Sequence, residues 1–226
     1  LRTRRQRQMC IRDRSVTWQG TGTTNADFPG ATTIRDAFTD TVEAAGGTLN
    51  YSANGSFTTA PDAVIVVLSE QPYAEGNGDL QNLDWSASGV LNQVQGLRDS
   101  GIPVVTLLMS GRPMFINPEL NLSDAFVASW LPGTEATGIS DVLFTDAQGN
   151  AEHDMTGRLS FSWPGGAINP ANAEAPVSAA LFDRGYGLSY ADIQDLPALT
   201  EDPNNTESGI VEGSGSGGGT GGGNSN

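Results

Sequence analysis

The chain has 226 residues, of which 29 are glycine and only 16% are charged, so it is long enough for one sizeable core with loop-rich or unfolded parts beside it. Its formal net charge is −15, and beyond Arg14 only five arginines stand against 25 acidic residues (all 26 in the chain except Asp13). This acidity argues against nucleic acid as a partner, because phosphate binding needs concentrated positive charge. We also expect no membrane span, because no run approaches the ~18 apolar residues that a span requires.

The chain opens with a basic head, residues 1–14, which holds six of the eleven arginines and the only cysteine, Cys10. Residues 8–14 resemble the in-frame translation of an adapter used in preparing sequencing libraries. We therefore predict that residues 1–14 are a non-native head and exclude them from the fold. Without Cys10 the chain has no thiol, which excludes disulfides and cysteine nucleophiles.

Apolar runs predict the strands. Residues 63–68 and 103–109 are continuous aliphatic runs, typical of strands that are buried on both faces of a parallel sheet. Residues 125–130 predict a third strand and residues 48–51 a short one. The alternation of apolar and polar residues over 158–163 predicts an edge strand.

Three segments space their apolar residues as an amphipathic helix does: 33–45, 86–98 and 135–144. Strands that alternate with helices indicate right-handed crossover units, so the predicted fold class is α/β, a three-layer α/β/α sandwich with a mostly parallel open sheet. Ligands of such sheets meet the loops at the carboxyl ends of the strands, here predicted at 69–79, 110–113 and 130–135.

The last segment, residues 201–226, ends the apolar patterning, and beyond residue 213 it is nearly all Gly, Ser, Thr and Asn. Such a segment cannot bury enough apolar surface to offset its ordering entropy, so we predict a disordered Gly/Ser-rich linker. The predicted organisation is a head at 1–14, a folded domain at 15–200 and a linker at 201–226.

The loop after the run at 63–68 carries three carboxylates: Glu70, Glu75 and Asp79. Gly76 and Gly78 allow the backbone to turn sharply, so that a carboxylate can project from it. On spacing alone the loop could be a cation site, a helix N-cap region or a general acid, and a solvated acidic loop is the commonest explanation.

Five segments resemble motifs of the C-terminal α/β domain of family 3 glycoside hydrolases, in that family's order: E-Q-P-Y-A-E-G-N-G-D at 70–79, S-G-R-P at 110–113, W-L-P-G-T-E at 130–135, T-G-R-L-S-F-S-W-P at 156–164 and L-F-D-R-G-Y-G-L-S-Y at 181–190. The fourth departs from the family pattern at Ser160, where proline is usual. One turn motif alone is weak evidence, but five in order make the chain resemble a β-glucosidase or exo-β-glucanase domain over about residues 16–190. The resemblance implies a fragment that lacks the family's N-terminal barrel.

The resemblance further implies retaining hydrolysis of terminal β-linked glucosyl residues in oligo- or polysaccharides. In that family a nucleophilic aspartate lies on an N-terminal (β/α)8 barrel, and the second domain supplies the general acid/base. Glu75 holds the matching position, so it would protonate the glycosidic oxygen and then activate water. Glu70 is a weaker candidate for the same role, because the family motif places the acid on the later glutamate.

Three more residues are predicted to contact or organise the substrate. Trp18, in T-W-Q-G at 17–20, resembles the tryptophan that forms one wall of the family's sugar clamp, and a core tryptophan is the alternative. Arg112 could bind substrate, although pairing with a nearby carboxylate and holding the turn is the more common role for such a residue. Asp79 could orient the loop that carries Glu75 or cap the segment that follows.

We expect no cofactor and no metal, since His153 is the only histidine and one histidine makes no metal site. The expected partners are a β-glucoside or β-glucan substrate and an N-terminal (β/α)8 barrel of the same polypeptide. A cysteine-poor, acidic chain suits a periplasmic or secreted bacterial protein.

Two other classes of function stay open. One is a non-catalytic carbohydrate-binding or interaction module, which would show several exposed aromatic residues without a catalytic carboxylate partner. The other is a nucleotide-binding α/β domain, which needs a glycine-rich turn directly after its first strand. The glycines at Gly76 and Gly78 do not extend to the G-x-G-x-x-G pattern, and the chain has no lysine for a P-loop.

Overall fold

The computed structural model describes residues 25–53, 55–70, 73, 75–80, 82–84, 88–146, 148–167 and 180–205. Its helices are α1 Ile34–Ala44, α2 Ser88–Asp99, α3 Asn117–Asn121 and α4 Thr137–Leu143, and its strands are β1 Val64–Ser69, β2 Val104–Met109, β3 Ala125–Ala128, β4 Trp163–Pro164 and β5 Ala180–Phe182. Two short 3-10 helices occupy Asn25–Asp27 and Glu75–Gly78. Within these ranges, every helix is too short or too polar to cross a bilayer.

The main sheet is parallel, with strand order β1-β2-β3. Val64 pairs with Val104 and Val105 pairs with Ala125, so the three strands start and end at nearly the same level. All but one residue of the central strand β2 are buried. A strand covered on both faces requires a continuous apolar run, and residues 104–109 supply it.

Successive side chains of a strand point to opposite faces, and this alternation creates two apolar cores. One core lies beneath α2 and α3, and its buried members include Val66, Leu68, Val94, Leu97 and Leu108. The other core lies beneath α1 and α4, and its buried members include Ile34, Phe38, Leu107, Met109 and Ile139. Helices on both faces of a parallel sheet confirm the predicted three-layer α/β/α architecture.

Local chemistry sets the limits of α1. Thr33 precedes the helix in an extended conformation, and its hydroxyl accepts a hydrogen bond from the Asp36 amide at 3.1 Å. This bond satisfies one of the amides that the first helical turn leaves without a partner. Gly46 follows the helix with a φ of 80°, a conformation that glycine adopts without strain and that ends the helical path.

The three long helical patterns and the two longest strand patterns are confirmed, but shorter elements differ. Residues 48–51 form no strand, and three of the four are exposed, so they have no buried face with which to join the sheet. The predicted edge strand at 158–163 is reduced to β4, which pairs antiparallel with β5 instead of joining the parallel sheet.

The third strand is shorter than its apolar run. It ends at Ala128, and Trp130 takes a left-handed φ of 52°, which turns the chain out of the extended conformation. Helix α3 was not predicted, because five residues are too few to show a helical period. Pro118 in its first turn is nevertheless typical of a helix start.

A strap, defined as residues 196–203, runs along α3. The Asn121 side-chain oxygen accepts from the Leu199 amide at 2.8 Å, and its amide nitrogen donates to the Leu199 carbonyl at 2.9 Å. The Asn117 side chain donates to the Thr200 carbonyl at 2.9 Å. Two asparagines thus give the strap the hydrogen bonds that a neighbouring strand would otherwise provide.

Candidate functional site

The predicted site loops meet at the carboxyl edge of the sheet. Ser69 pairs with Met109 at the ends of β1 and β2, and the Glu70 amide donates to the Met109 carbonyl at 3.0 Å. The residues that follow each strand therefore start side by side. This is the edge at which α/β sheets bind ligands.

An ion pair joins the two loops. Arg112 donates from Nη2 to Glu70 Oε1 at 2.8 Å and from Nε to the same oxygen at 3.0 Å. The Ser110 hydroxyl donates to the other oxygen, Glu70 Oε2, at 2.8 Å. The side chains of Arg112 and Glu70 are 20% and 9% exposed, so water screens this pair much less than a surface pair.

Arg112 also contacts the loop that carries Glu75. Its Nη1 donates to the Gly78 carbonyl, and its guanidinium carbon lies 4.1 Å from the centre of the Tyr73 ring. Guanidinium groups are attracted to aromatic faces at such distances. One arginine side chain therefore binds three points of the loop after β1.

The Tyr73 hydroxyl completes the set of donors around Glu70. Burial raises the pKa of this hydroxyl, the Glu70 charge raises it further, and the Arg112 charge opposes part of that rise. A hydrogen bond to Glu70 adds to the upward shift of the Tyr73 pKa. Glu70 thus accepts hydrogen bonds from a serine, an arginine and a tyrosine, and both of its oxygens are engaged within the protein.

The structure brings only part of the predicted site together. Glu75 begins the 3-10 helix Glu75–Gly78, but its side chain lies outside what the structure describes. Asp79 follows this helix with an exposed side chain, and its amide donates to the Gly76 carbonyl at 3.3 Å. Trp18 lies outside the described residues. Arg112 lies beside the helix and pairs with Glu70, the arrangement that sequence reasoning considered more common than substrate binding.

Sequence reasoning missed the contributions of Ser110, Tyr73 and Gly78. Each lies inside one of the family motifs, but no local pattern shows that Arg112 would bind Glu70 across 42 positions of sequence. The register of β1 against β2 creates this contact. The one signal in the sequence is that the two loops follow predicted strands that are neighbours in the sheet, which would bring Glu70 and Arg112 to the same edge.

A buried carboxylate away from this edge was also missed. Glu119 of α3 is only 3% exposed, and it lines a small cavity with Leu68, Val94 and Thr106. Among the residues that the structure describes, neither of its carboxylate oxygens finds a side-chain hydrogen-bond partner. Burial raises the pKa of Glu119 to about 7; its own backbone amide opposes part of this rise, and the charges of Asp84 and Glu201 add smaller upward contributions.

In the part of the chain that the structure describes, no three histidine, cysteine or acidic side chains converge as a metal site would require. His153 is exposed.

Sequence comparison relates the chain to carbohydrate-active proteins. The model for the glycosyl hydrolase family 3 C-terminal domain matches residues 5–190. The chain is 33% identical over 200 residues to a lysosomal beta glucosidase of Dictyostelium discoideum. The aligned region covers 78% of this chain and 23% of the relative. The chain is also 30% identical over 177 residues to a periplasmic beta-glucosidase of Salmonella typhimurium, and that aligned region covers 68% of this chain and 22% of the relative.

Structural comparison agrees. The chain superposes on the exo-1,3/1,4-beta-glucanase from a Pseudoalteromonas species with a TM-score of 0.77 and 42% sequence identity, over 87% of this chain and 25% of that one. The chain therefore spans about a quarter of the length of the relatives it matches.

Proposed function

The chain belongs to the C-terminal domains of glycosyl hydrolase family 3, and on that premise we propose that it supplies the general acid/base, Glu75, for hydrolysis of terminal β-linked glucosyl residues. The observation that carries the proposal is the position of Glu75 at the start of a short helix at the carboxyl edge of the sheet. The 42% identity to an exo-1,3/1,4-beta-glucanase supports a β-glucan or β-glucoside as the substrate class.

The proposed mechanism is retaining and uses two carboxyl groups about 5–5.5 Å apart. Glu75 protonates the glycosidic oxygen as the aglycone leaves, while an aspartate on an N-terminal (β/α)8 barrel attacks the sugar. The Glu75 carboxylate then removes a proton from the water that cleaves the glycosyl-enzyme. Because the nucleophile belongs to the barrel, we expect this chain alone to hydrolyse aryl β-glucosides no faster than the uncatalysed rate.

The surroundings of Glu70 support Glu75 as the acid. A general acid must present a proton to the substrate, whereas both Glu70 oxygens accept hydrogen bonds from Ser110 and Arg112. Releasing Glu70 to meet a substrate would leave the partly buried Arg112 without its counterion. Glu70 is therefore better suited to holding the loop than to proton transfer.

Further assignments belong to the same proposal. Trp18 forms one wall of a sugar clamp, and Asp79 orients the loop that carries Glu75. The head at 1–14, the domain at 15–200 and the linker at 201–226 are the proposed divisions; the strap, through the bond from the Ala167 amide to the Pro203 carbonyl, continues three residues into that linker. We also propose that the protein acts in the periplasm or outside the cell. The periplasmic beta-glucosidase of Salmonella typhimurium among its relatives supports that location.

The test is Glu75→Gln in a polypeptide that contains the barrel. We expect hydrolysis of substrates with poor leaving groups to slow by about 10²–10⁴-fold, the usual contribution of acid–base catalysis. Substrates with acidic phenol leaving groups need no protonation, so their glycosyl-enzyme should still form and then break down slowly. Azide, which needs no base, should restore turnover and yield the β-glycosyl azide.

Two control variants make this test specific. Glu43→Gln removes an exposed carboxylate of α1, far along the chain from the loop, and should leave the rates unchanged. Glu70→Gln should lack azide rescue. One result would move the acid/base role to Glu70. In that result, Glu70→Gln shows dependence on the leaving group and azide rescue, and Glu75→Gln shows neither.

A carbohydrate-binding module remains the alternative class. Trp130 and Phe161 are 36% and 38% exposed, but their rings meet edge to face, with centroids 5.7 Å apart and planes at 82°. Two rings at right angles do not form the flat platform on which a sugar face stacks. The Trp130–Phe161 pair therefore gives no support to a binding module.

A further inference from the structure

The contacts of Arg112 flank Glu75 on both sides. On the amino-terminal side Arg112 binds the Glu70 carboxylate and lies against the Tyr73 ring. On the carboxyl-terminal side it donates to the carbonyl of Gly78, the last residue of the short helix that Glu75 begins. The guanidinium is thus bound to the chain before and after the proposed acid/base.

The other end of this link is rigid. The Arg112 amide donates to the Ser110 hydroxyl at 3.1 Å, and that hydroxyl in turn donates to Glu70. Ser110 is buried and directly follows β2, the central strand of the sheet. Arg112 therefore connects the helix Glu75–Gly78 to the central strand of the parallel sheet.

The backbone of the helix Glu75–Gly78 gives it little stability of its own. Four residues make a single 3-10 turn, and isolated turns of this kind are marginal because nucleation costs several dihedral angles for one hydrogen bond. The bond from the Asp79 amide to the Gly76 carbonyl, at 3.3 Å, is long for its type. External contacts must therefore fix the position of this turn, and Arg112 provides an ionic contact, a backbone hydrogen bond and an aromatic contact.

We infer that Arg112 is a positioning residue, which fixes the turn that carries the proposed acid/base by binding Glu70, Tyr73 and Gly78 together. Its catalytic consequence rests on the proposed function of Glu75, whereas the structural link does not. In this role the guanidinium donors serve the protein itself rather than the substrate. Lysine cannot substitute for it, because an ammonium group has neither the planar fork nor the flat face that these three contacts use.

The structural part can be tested on the chain as it stands. In Arg112→Lys we expect amide hydrogen exchange at residues 76–79 to become at least tenfold faster, while the amides of β2 keep their rates. Arg35→Lys is the matched control, because Arg35 also lies over a tyrosine ring, that of Tyr51, at 5.6 Å. Unchanged exchange at residues 76–79 in Arg112→Lys would overturn the inference.

The catalytic part uses a polypeptide that contains the barrel. Arg112→Lys should lower kcat by about 10–10²-fold, as expected for displacement of a reacting group by an ångström or less, with KM within twofold of the parent. The loss should be largest for poor leaving groups, since it acts through the proton donor. A raised KM with unchanged kcat would instead identify Arg112 as a substrate contact and overturn the inference.

The two proposals can fail separately. If the rates of Glu75→Gln do not depend on the leaving group, the acid/base assignment is overturned. If amide exchange at residues 76–79 is nevertheless faster in Arg112→Lys, the structural link through Arg112 still holds. If Arg112→Lys fails to fold, Gly78→Ala provides a second perturbation of the same contacts, because its methyl group would displace the Tyr73 ring. The same exchange and kinetic results are expected of it.

Discussion

Gly78 lies so close to Tyr73 that a Cβ atom added to the glycine would stand 2.8 Å from Cε2 of the tyrosine ring and closer still to Cδ2. Such separations are shorter than any ordinary contact between carbon atoms, so either the ring or the backbone must move. The ring cannot move freely, because the Arg112 guanidinium lies over it.

We therefore expect Gly78→Ala to destabilise the domain by about 1–3 kcal/mol, the usual cost of overpacking. Urea unfolding measures this change through its midpoint. Gly76→Ala is the matched control, because Gly76 lies in the same short helix and a Cβ atom added to it would meet no atom within 4 Å. Equal destabilisation by the two variants would show that the helix, and not the ring contact, is responsible.

Glu119 gives a prediction about pH. Its pKa in the folded chain is about 7, above the ordinary value of 4.5, so the folded state binds a proton more tightly than the unfolded state. The stabilisation this provides is fully present below pH 4.5 and is lost as the pH rises through 7, by up to about 3 kcal/mol. Unfolding free energy measured across this range should fall with rising pH.

Glu119→Gln should flatten that dependence, because the amide does not titrate. Glu43→Gln, an exposed change on α1, should leave the slope as it is. A slope that persists in Glu119→Gln would assign the pH dependence to another group, and Asp84→Asn and Glu201→Gln would then be the next variants to measure.

The strap gives a prediction about hydrogen bonding. Asn121→Ala removes both bonds to Leu199 and leaves a backbone amide and a carbonyl without partners, which should cost about 1–3 kcal/mol. Amide exchange of Leu199 should accelerate by the corresponding factor. Asn92→Ala, an exposed change on α2, should stay within about 0.5 kcal/mol of the parent. If Asn121→Ala leaves the free energy of unfolding unchanged, apolar packing alone holds the strap in place.

The Glu70–Arg112 pair can be tested by a double-mutant cycle. Arg112→Ala leaves a carboxylate that is 9% exposed without its counterion, so we expect a loss of about 3–5 kcal/mol. Adding Glu70→Gln should recover part of that loss, giving a coupling of at least about 1 kcal/mol that persists in 1 M salt. Additive effects would show that the two charges do not stabilise each other.

The sequence predicts best where local chemistry and tertiary packing demand the same residues. β2 is buried on both faces, and β1 is buried on one face and half-buried on the other, so both runs are almost wholly apolar and easily recognised. The helices α1, α2 and α4 each have one apolar face, and their periodicity shows it. Residues 48–51 include two residues that favour strands, Thr48 and Tyr51, but they have no buried face, and propensity alone does not make a strand.

The site is predictable to a smaller extent. Motifs single out Glu70, Glu75 and Arg112, but the pairing of Glu70 with Arg112 depends on the register of two strands, which no single loop encodes. Glu119 carries no signal at all, since a glutamate in a short helix is ordinarily solvated. Its burial results from α3 sharing a core and a small cavity with α2 and the sheet, a consequence of the whole fold.

The contacts of Arg112 also restrict how the loop can vary in length. Glu70 and Gly78 meet the same guanidinium, so the chain between them must span a fixed distance, and its two ends cannot move apart. An inserted residue would have to bulge away from Arg112 or break one of these bonds, and a deletion would pull the turn out of place. Beyond Asp79 no such requirement acts through Arg112. Natural changes of loop length at this edge of the sheet are therefore expected after Asp79, with the interval from Glu70 to Gly78 kept constant.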